Sequence, residues 1–564
     1  MPNKKIIIYQ VLPRLFGNDN IYCVSNGTIE QNKSGKMNDF TPKAFQEIKK
    51  LGITHIWYTG VIEHATQSNY EEYNIKPDHP AIVKGKAGSP YAIKDYFDID
   101  PDLAVNPDQR MKEFESLVAR THKAKLKVII DFVPNHVARQ YHSDKQPNNT
   151  TPLGANDDNT KAFSPYNNFY YIPDTAFHGQ FDTKGSAKEQ YCEFPAKATG
   201  NDRFDASPNF NDWYDTIKLN YGIDYLNGRN QHFSPTPDTW HKMLEILLFW
   251  ASKKIDGLRC DMVEMVPIEF WEWVIPQVKA KYPDLIFIGE IYQPHLYKTF
   301  IEKCGFDYLY DKKGLYETLR NIISGNESTK NITYCWQNLN GLQPRMLNFL
   351  ENHDEQRIAS HFFAVNPFKA IPGLIISACM NVNPMMIYFG QETGEMGMNT
   401  EGYSGRDGKT SIFDYWSISS IRRWRNKGKY GTEGLNKNEI ELQQLYRKIL
   451  NLCHSEKAIS DGLFFDLMYA NMNSWKFNSD KQYAFLRKHK NELILFVVNF
   501  DDKKVDVEIN LPIHAFEYLD MEEVPTIRGV NLLTDEEREY SLLSSKPVTL
   551  STPKYGAKIV KFTF

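Results

Sequence analysis

The stretch I-D-G-L-R-C-D at residues 255–261 combines a short apolar run with an arginine and an aspartate two residues apart. It directly follows an amphipathic segment that ends near Lys254. Residues two apart in an extended strand lie on the same side, so Arg259 and Asp261 would share one face. If this strand is buried in a parallel sheet and ends here, that face holds a carboxylate and a permanent cation above the sheet. For this segment alone, an ordinary ion pair at a strand end is the simpler interpretation.

Upstream of this stretch, predicted strands and helices alternate. Apolar runs at residues 6–11, 53–58 and 126–133 predict strands. The first helix is predicted at Thr41-Pro42, a capping threonine with proline at the first helical position, and the next at Asn106-Pro107. This alternation predicts a parallel sheet with helices outside it.

Predicted helices and strands alternate again from residue 236 onward. A helix is predicted from Thr236-Pro237, and residues 255–259 follow it as a strand. Further strands are predicted at residues 285–289, 306–310, 346–350 and 384–389. Together with the upstream strands these make eight, which predicts a (β/α)8 TIM barrel whose active site lies at the C-terminal ends of its strands.

Two regions depart from the barrel pattern. Residues 137–235 are rich in Asn, Asp, Tyr, Phe, Gly and Pro without a helical period, and predict an irregular subdomain inserted after the third strand. Short alternating runs toward the end of the chain predict a C-terminal antiparallel β domain at residues 461–564. The barrel itself is assigned to residues 1–136 and 236–460.

The composition is that of a globular protein with no dominant charge. The 564 residues are 41% hydrophobic and 24% charged, with 66 Lys+Arg against 70 Asp+Glu. This balance offers no global field for nucleic acid or an anionic membrane, so we expect an uncharged or small partner. Seven cysteines without C-x-x-C spacing predict neither a zinc site nor a disulfide framework. The oligomeric state is left open.

The N-terminal apolar run bears on where the protein resides. It is too short for a signal peptide and leads to Pro13 and Arg14 without a small-residue cleavage site. No apolar stretch reaches the 18 or so residues that a membrane span needs. We therefore expect a cytoplasmic protein, although a chain from which a leader had been removed would look the same.

Four of the predicted strands carry polar side chains at or just beyond their C-terminal ends. They are Asp131, Asn135 and His136 at strand three, Arg259 and Asp261 at strand four, Glu290 at strand five, and His353 and Asp354 at strand seven. Each group alone could be a cap or a salt bridge, but a barrel brings all four to one edge. The sequence therefore predicts a cluster of carboxylates, histidines and an arginine at that edge.

These strand ends carry a resemblance to a known family. The segments D-F-V-P-N-H, G-L-R-C-D, G-E and N-H-D, in this order, resemble the four short motifs of the α-amylase family of glycoside hydrolases. Supporting stretches are Ser89-Pro90-Tyr91, Pro208-Asn209-Phe210-Asn211 and Tyr388-Phe389-Gly390-Gln391-Glu392. The resemblance spans nearly the whole chain, and four ordered motifs are far more specific than a single G-E dipeptide.

The resemblance implies a pair of catalytic carboxyl groups. Asp261 would be the nucleophile and Glu290 the general acid/base of a retaining hydrolysis, which needs the two groups about 5 to 5.5 Å apart. Arg259 would keep Asp261 ionised, because a nearby cation favours the charged form of a carboxyl group. Glu290 has to hold its proton until the leaving oxygen takes it, so we expect an apolar or carboxylate-rich setting around it.

The resemblance also implies a set of sugar contacts. Asp354 matches the family's third carboxylate, which binds sugar hydroxyls and favours the distorted, oxocarbenium-like ring. His136 and His353 match histidines that contact the same sugar, and Tyr91 matches an aromatic ring that stacks under it.

Three positions depart from the family pattern. Glu264 and Met265 stand where many α-amylases have a Lys-His pair that binds sugars on the leaving-group side. The same histidine often helps to hold a structural calcium ion with the asparagine that matches Asn135, so a calcium site is doubtful; the chemistry itself requires no cofactor. Calcium takes six to eight oxygen ligands, and the sequence identifies no full set. Ala92 replaces an aspartate common in enzymes that trim single glucose units, which argues against a dedicated α-glucosidase.

We expect an α-glucan hydrolase that cleaves α-1,4 bonds of starch, maltodextrin or related oligosaccharides. A 4-α-glucanotransferase would use the same motifs, with a second sugar taking the place of water. Action on α-1,6 branches or on a disaccharide is a further alternative, since fold alone does not determine the substrate. A non-catalytic sugar-binding protein is disfavoured, because Asp261, Glu290, Asp354 and Arg259 are all present.

Overall fold

The computed structural model describes residues 5–148 and 150–564, so residues 1–4 of the predicted barrel segment and residue 149 of the predicted insert lie outside the described residues. Within these ranges, eight parallel strands close into a barrel in which each strand pairs with the next along the chain and the last pairs with the first. The strands are β1 Ile7–Val11, β2 His55–Tyr58, β3 Lys127–Phe132, β4 Gly257–Cys260, β5 Ile286–Gly289, β6 Tyr308–Tyr310, β7 Met346–Phe349 and β8 Met385–Tyr388. The predicted TIM barrel is confirmed.

Helices follow the barrel strands and cover the sheet from outside. They include Pro42–Lys50, Arg110–Lys123, Asp238–Ser252, Ile268–Lys281, Tyr297–Glu302, Glu317–Ile323, Asn331–Asn338, Ile371–Cys379 and Lys437–Ser455. The first begins as the sequence predicts, since the Thr41 hydroxyl accepts from the backbone N–H of Ala44 at 3.2 Å. In the described ranges, no helix has the length and apolar character needed to cross a membrane.

Alternation along the strands sorts the side chains into two layers. Ile7 and Tyr9 of β1 pack outward against the helices, whereas Ile8 belongs to a buried cluster inside the barrel. The members of that inner cluster are Ile8, Trp57, Ile129, Ile288, Tyr310, Tyr316, Leu347, Phe349 and Met386. Arg259 is in register with Asp131 of β3 and Ile288 of β5, so its side chain continues this inner layer toward the C-terminal end of the barrel.

The segment between β3 and the helix Asp238–Ser252 is irregular and is held by short strand pairs. The pairs are His136–Ala138 with Thr216–Lys218, Tyr171–Ile172 with Ala196–Lys197, and Ile223–Asp224 with Asn230–Gln231. The first of these pairs starts at His136 and therefore ties this segment directly to a residue of the predicted site. A further hairpin, Ile62–His64 with Ile93–Ile99, follows β2 and carries Tyr91 at its edge; the sequence did not predict it.

The end of the chain forms a predominantly antiparallel β structure, as predicted. One sheet has the strand order Leu463–Asp466, Gln482–His489, Glu492–Asn499, Gly556–Thr563, Val524–Asn531 and Glu537–Leu542, and Val505–Ile509 pairs with Val548–Thr552. The side chain of Arg487 reaches from this sheet to the barrel helices and donates to the carbonyl oxygen of Met380 at 2.7 Å.

Candidate active site

Arg259 is the centre of the predicted cluster. It is 1% exposed, and its guanidinium group lies inside the barrel mouth. Nη1 donates to Asp261 at 2.6 Å, Nη2 lies 2.8 Å from the Glu290 carboxylate, and Nε donates to the hydroxyl of Tyr310 at 3.1 Å. Because the guanidinium group is planar and rigid, one side chain determines where both predicted catalytic carboxyl groups lie.

Aromatic rings surround this guanidinium group. The ring centroids of Trp57, Tyr91 and Tyr310 lie 5.2, 5.4 and 5.4 Å from its central carbon. These are cation–π distances, and they exclude water from the charged group. The charge of Arg259 is therefore directed at the carboxyl groups rather than screened by solvent.

Asp261 and Glu290 interact directly. Burial and the neighbouring Glu290 carboxylate raise the pKa of Asp261, and the opposing effect of Arg259 does not cancel this rise. The Asp261 carboxyl group therefore experiences two opposing influences, a neighbouring carboxylate that raises its pKa and a guanidinium group that lowers it. The expectation that Arg259 keeps Asp261 ionised stays a prediction: the guanidinium contact is present, and a second buried carboxyl group lies nearby.

Glu290 is held by contacts on both of its oxygens. The backbone N–H of Met262 donates to Oε2 at 3.0 Å, and the Tyr292 hydroxyl donates to Oε1 at 2.6 Å. The expected carboxylate-rich setting is present, since Asp261 lies beside Glu290. The setting is not apolar, because Arg259, a hydroxyl and a backbone amide also reach the group.

His353 and Tyr91 form a stacked, hydrogen-bonded pair beside the carboxyl groups. Their ring centroids are 5.1 Å apart, and the Tyr91 hydroxyl lies 2.6 Å from Nε2 of His353. The Gln10 side-chain amide donates to Nδ1 at 2.7 Å, which leaves the ring proton on Nε2. Burial and the charge of Arg259 lower the pKa of His353 to about 3, so the ring is a neutral hydrogen-bond donor at physiological pH.

Asp354 is the solvent-exposed carboxyl group of the predicted site. Its side chain is 42% exposed, and Oδ2 lies 3.1 Å from Nε2 of His353. It lines a cavity of about 600 Å³ together with Lys312, Arg320, Glu355 and Lys409. A ligand entering from this side would meet Asp354 before the buried carboxyl groups.

His136 lies on the other side of Tyr91. Its ring is buried, packs 5.2 Å from the ring of Trp213, and is hydrogen bonded to the backbone carbonyl of Tyr91. Burial and the nearby positive charge of Lys218 lower its pKa to about 3. The structure therefore brings together all seven predicted site residues: Tyr91, His136, Arg259, Asp261, Glu290, His353 and Asp354.

The residues around Asn135 do not fit a calcium ion. Asn135 Oδ1 accepts a hydrogen bond from the buried ammonium group of Lys218, which occupies the space where a cation would bind. Within residues 5–148 and 150–564, no group of three or more His, Cys, Asp or Glu side chains is arranged to hold a metal.

Sequence reasoning missed several side chains of the site. Tyr310 and Gln10 lie on the inner layer of β6 and β1, and the alternation argument used for Arg259 would have found them if applied to every strand. Tyr292 lies two residues after Glu290 and follows the same alternation. Glu264 was recognised only as a departure; its carboxylate accepts from the backbone N–H groups of Tyr292 and Gln293, both at 3.1 Å, and so supports the loop after Glu290.

Fold and site together define a (β/α)8-barrel enzyme class whose chemistry depends on carboxyl groups at the C-terminal ends of the strands. Residues 10–423 match the family described as "Alpha amylase, catalytic domain", and the chain belongs to the α-amylase family.

Similar proteins in this family differ in their named activities. The chain is 22% identical over 484 residues to Alpha-amylase 3 of Dictyoglomus thermophilum, covering 81% of this chain and 79% of that protein. It is 21% identical over 517 residues to a cyclomaltodextrinase of a Bacillus species, covering 88% and 73%. The solved α-amylase of Geobacillus thermoleovorans in complex with acarbose superposes with a TM-score of 0.64 at 17% identity, covering 99% and 98%. At such low identity, the structural likeness establishes the fold alone.

Proposed function

We propose that this protein is a retaining α-glucan hydrolase of the α-amylase type that cleaves α-1,4-glucosidic bonds of starch, maltodextrin or related α-glucans. One observation carries the proposal: Asp261 and Glu290 both contact the guanidinium group of Arg259, at 2.6 and 2.8 Å. Inverting enzymes keep their carboxyl groups about 6.5 to 9.5 Å apart to leave room for a water molecule, whereas retaining enzymes hold them closer. Carboxyl groups that both contact one guanidinium group are more consistent with the shorter separation.

In the first step, the Asp261 carboxylate attacks the anomeric carbon and the bond to the leaving oxygen breaks. Glu290 transfers its proton to that oxygen, so the released sugar leaves as a neutral alcohol. In the second step, Glu290 takes a proton from water, the resulting hydroxyl attacks the anomeric carbon, and Asp261 is released as a carboxylate. Tyr292 and the Met262 amide determine the orientation of the Glu290 carboxyl group during both transfers.

The contact of Arg259 with Asp261 supports this division of roles. The chemistry requires that one of the two carboxyl groups carries a proton and the other is ionised when the sugar binds. Arg259 Nη1 lies 2.6 Å from Asp261 and favours the charged form of that group. The proton is then carried by Glu290, which faces the leaving oxygen.

Asp354, His353, His136 and Tyr91 would hold the sugar whose bond is cleaved. Both histidines stay neutral above about pH 4, because their pKa values are lowered to about 3, and can donate hydrogen bonds to sugar hydroxyls. Asp354 presents acceptor oxygens toward the cavity. Contacts of this kind accelerate the reaction if they strengthen as the ring flattens in the transition state. The complex of the Geobacillus thermoleovorans α-amylase with acarbose is consistent with an oligosaccharide ligand.

A time course of products from maltoheptaose tests the proposal. We expect only products shorter than seven glucose units, together with release of the α-anomer, detected by chromatography and by ¹H NMR during the first turnovers. Oligosaccharides longer than the substrate at early times would instead identify a 4-α-glucanotransferase. Asp261→Asn serves as the inactive control, and near-normal activity of that variant would reject the assignment of the nucleophile.

A panel of isomaltose, sucrose and trehalose tests the linkage. We expect faster cleavage of maltoheptaose than of any of these disaccharides. Preferred cleavage of one of them would contradict the α-1,4 assignment while leaving the roles of Asp261 and Glu290 intact. The cytoplasmic location inferred from the sequence stays a prediction.

A further inference from the structure

Lys218 carries a buried positive charge at the junction between the inserted segment and the barrel. Its side chain is 2% exposed. Among the described residues, three oxygen atoms surround its ammonium group: Oδ1 of Asn135 and the backbone carbonyl of Met265, at 3.2 Å, accept hydrogen bonds, and Oδ1 of Asp202 lies 2.6 Å away as an ion-pair partner. These acceptors come from the end of β3, from the inserted segment and from the loop after β4.

The number and chemistry of these acceptors suit an ammonium ion rather than a metal. An ammonium group has three N–H donors and no acceptor, so three oxygens satisfy it completely. Calcium requires six to eight oxygens at about 2.3 to 2.6 Å, and the ammonium nitrogen already fills the centre of this set. Asp202 supplies the compensating negative charge and is 35% exposed. The Met265 acceptor is a backbone oxygen, so it is present whatever side chain stands at that position.

We infer that the Lys218 ammonium group is the structural cation of this junction and that it makes the active site independent of bound calcium. Asn135 immediately precedes His136, and its side-chain nitrogen donates to the carbonyl of Gly200 at 2.8 Å. Met265 lies four residues after Asp261 in the loop that also contacts Glu290. Lys218 therefore joins the inserted segment to both strand ends that carry predicted catalytic and sugar-binding groups.

A second lysine provides a matched comparison. The Lys242 ammonium group donates to the carbonyl of Pro152 at 3.0 Å and to Oδ1 of Asn168 at 2.8 Å, and lies 2.7 Å from Asp238. The set again consists of a backbone carbonyl, an asparagine and an aspartate. It joins the inserted segment to the helix Asp238–Ser252 and touches none of the predicted site residues.

Removal of divalent ions from the wild-type protein tests the inference without any substitution. We expect the melting temperature and kcat/KM on maltoheptaose to be unchanged after dialysis against EDTA and after addition of CaCl2. A fall in melting temperature or activity with EDTA that CaCl2 restores, and MgCl2 does not, would overturn the inference.

Substitution of each lysine by methionine tests the local role, because methionine replaces the unbranched aliphatic part of the side chain and removes the ammonium group. We expect Lys218→Met to lower the melting temperature by about 3 °C, since it leaves a buried acceptor set without its cation. We also expect it to lower kcat/KM by about tenfold or more at a temperature where it is folded, because the strand ends lose their common support. Lys242→Met should lower the melting temperature to a similar extent with kcat/KM unchanged.

A Lys218→Met variant with wild-type melting temperature and kinetics would contradict the inference. If that variant does not fold, Asp202→Asn replaces it, because this change keeps the volume and removes only the compensating charge. Asp202→Asn is expected to lower the melting temperature without creating a response to EDTA. A calcium requirement of the wild-type protein would refute the role of Lys218. An Asp202→Asn variant as stable as the wild type would refute it as well.

Discussion

Replacement of Arg259 by lysine is the most informative perturbation of the site. Lysine keeps one positive charge but presents it as a point, so it cannot hold Asp261, Glu290 and Tyr310 as the guanidinium fork does. Two of the contacts would be lost, and a hydrogen bond to a charged group contributes about 1.5 to 3 kcal/mol. Relaxation of the site recovers part of this free energy, so we expect transition-state stabilisation to fall by about 3 kcal/mol. This corresponds to a decrease of about a hundredfold in kcat/KM.

The same substitution has a predicted pH signature. Burial and Glu290 raise the pKa of Asp261, and Arg259 opposes them. A lysine placed less favourably opposes them less, so the pKa of Asp261 rises further. The nucleophile has to be ionised, hence the acid limb of the pH profile of kcat/KM should move to higher pH in Arg259→Lys.

The assay is the pH dependence of kcat/KM on maltoheptaose for both proteins. Arg110→Lys is the matched control, because Arg110 is also buried and lies 2.6 Å from a carboxylate, that of Asp98, away from the site. Arg110→Lys should lower the stability of the protein without moving the acid limb of its kcat/KM profile. An Arg259→Lys variant with kcat/KM within threefold of the wild type and an unmoved acid limb would refute the assigned role of the guanidinium group.

Further predictions concern the proton donor, its neighbour and a buried histidine. Glu290→Gln should lower kcat on starch by about a thousandfold. The variant should retain activity on α-maltotriosyl fluoride, because the fluoride leaving group needs no proton. Equal losses of activity on both substrates would reject the role of Glu290 as general acid. Tyr292→Phe removes the 2.6 Å hydrogen bond to Glu290 and should lower kcat about tenfold, so a change below twofold in steady-state kinetics would count against it. Burial lowers the pKa of His55 from 6.5 to about 3. As the pH falls, the imidazole ring is therefore protonated in the unfolded chain before it is protonated in the folded protein. The folded state loses stability between about pH 6.5 and 3 as a result. Between pH 7 and 5 the wild type should therefore lose about 2 kcal/mol more unfolding free energy than His55→Gln in urea titrations, and parallel pH dependences would contradict the calculation.

The barrel was predictable because its strands are apolar on both faces and alternate with helices. The strand predicted at residues 255–259, for example, is observed at Gly257–Cys260. The hairpin after β2 was not predictable in the same way, because its strands bury charged residues: Asp98 pairs with Arg110, and Glu63 lies nearby. The strand Glu537–Leu542 is hard to predict for the opposite reason, since its first three residues are exposed and charged and it lies at the edge of its sheet.

The candidate site was predictable where a strand end carried a motif. Asp261, Glu290, His353 and Asp354 could be placed at one edge because parallel strands of a barrel end together. Lys218 could not be predicted, since its role depends on Asn135, Asp202 and Met265, which are distant from it in the chain. The effect of Glu290 on the pKa of Asp261 was missed for a related reason. It follows from the positions of two side chains on neighbouring strands, which a motif does not specify.

The proposal that Asp261 is the nucleophile is tested most directly by trapping the covalent intermediate. The wild-type protein would be incubated with a ring-fluorinated maltosyl fluoride, which slows the second step, then digested and analysed by mass spectrometry. We predict one maltosyl adduct on the peptide that contains Asp261, bonded to that side chain, and no adduct in Asp261→Asn. An adduct on Glu290, Asp354 or any other residue, or inactivation without an adduct, would contradict the mechanism.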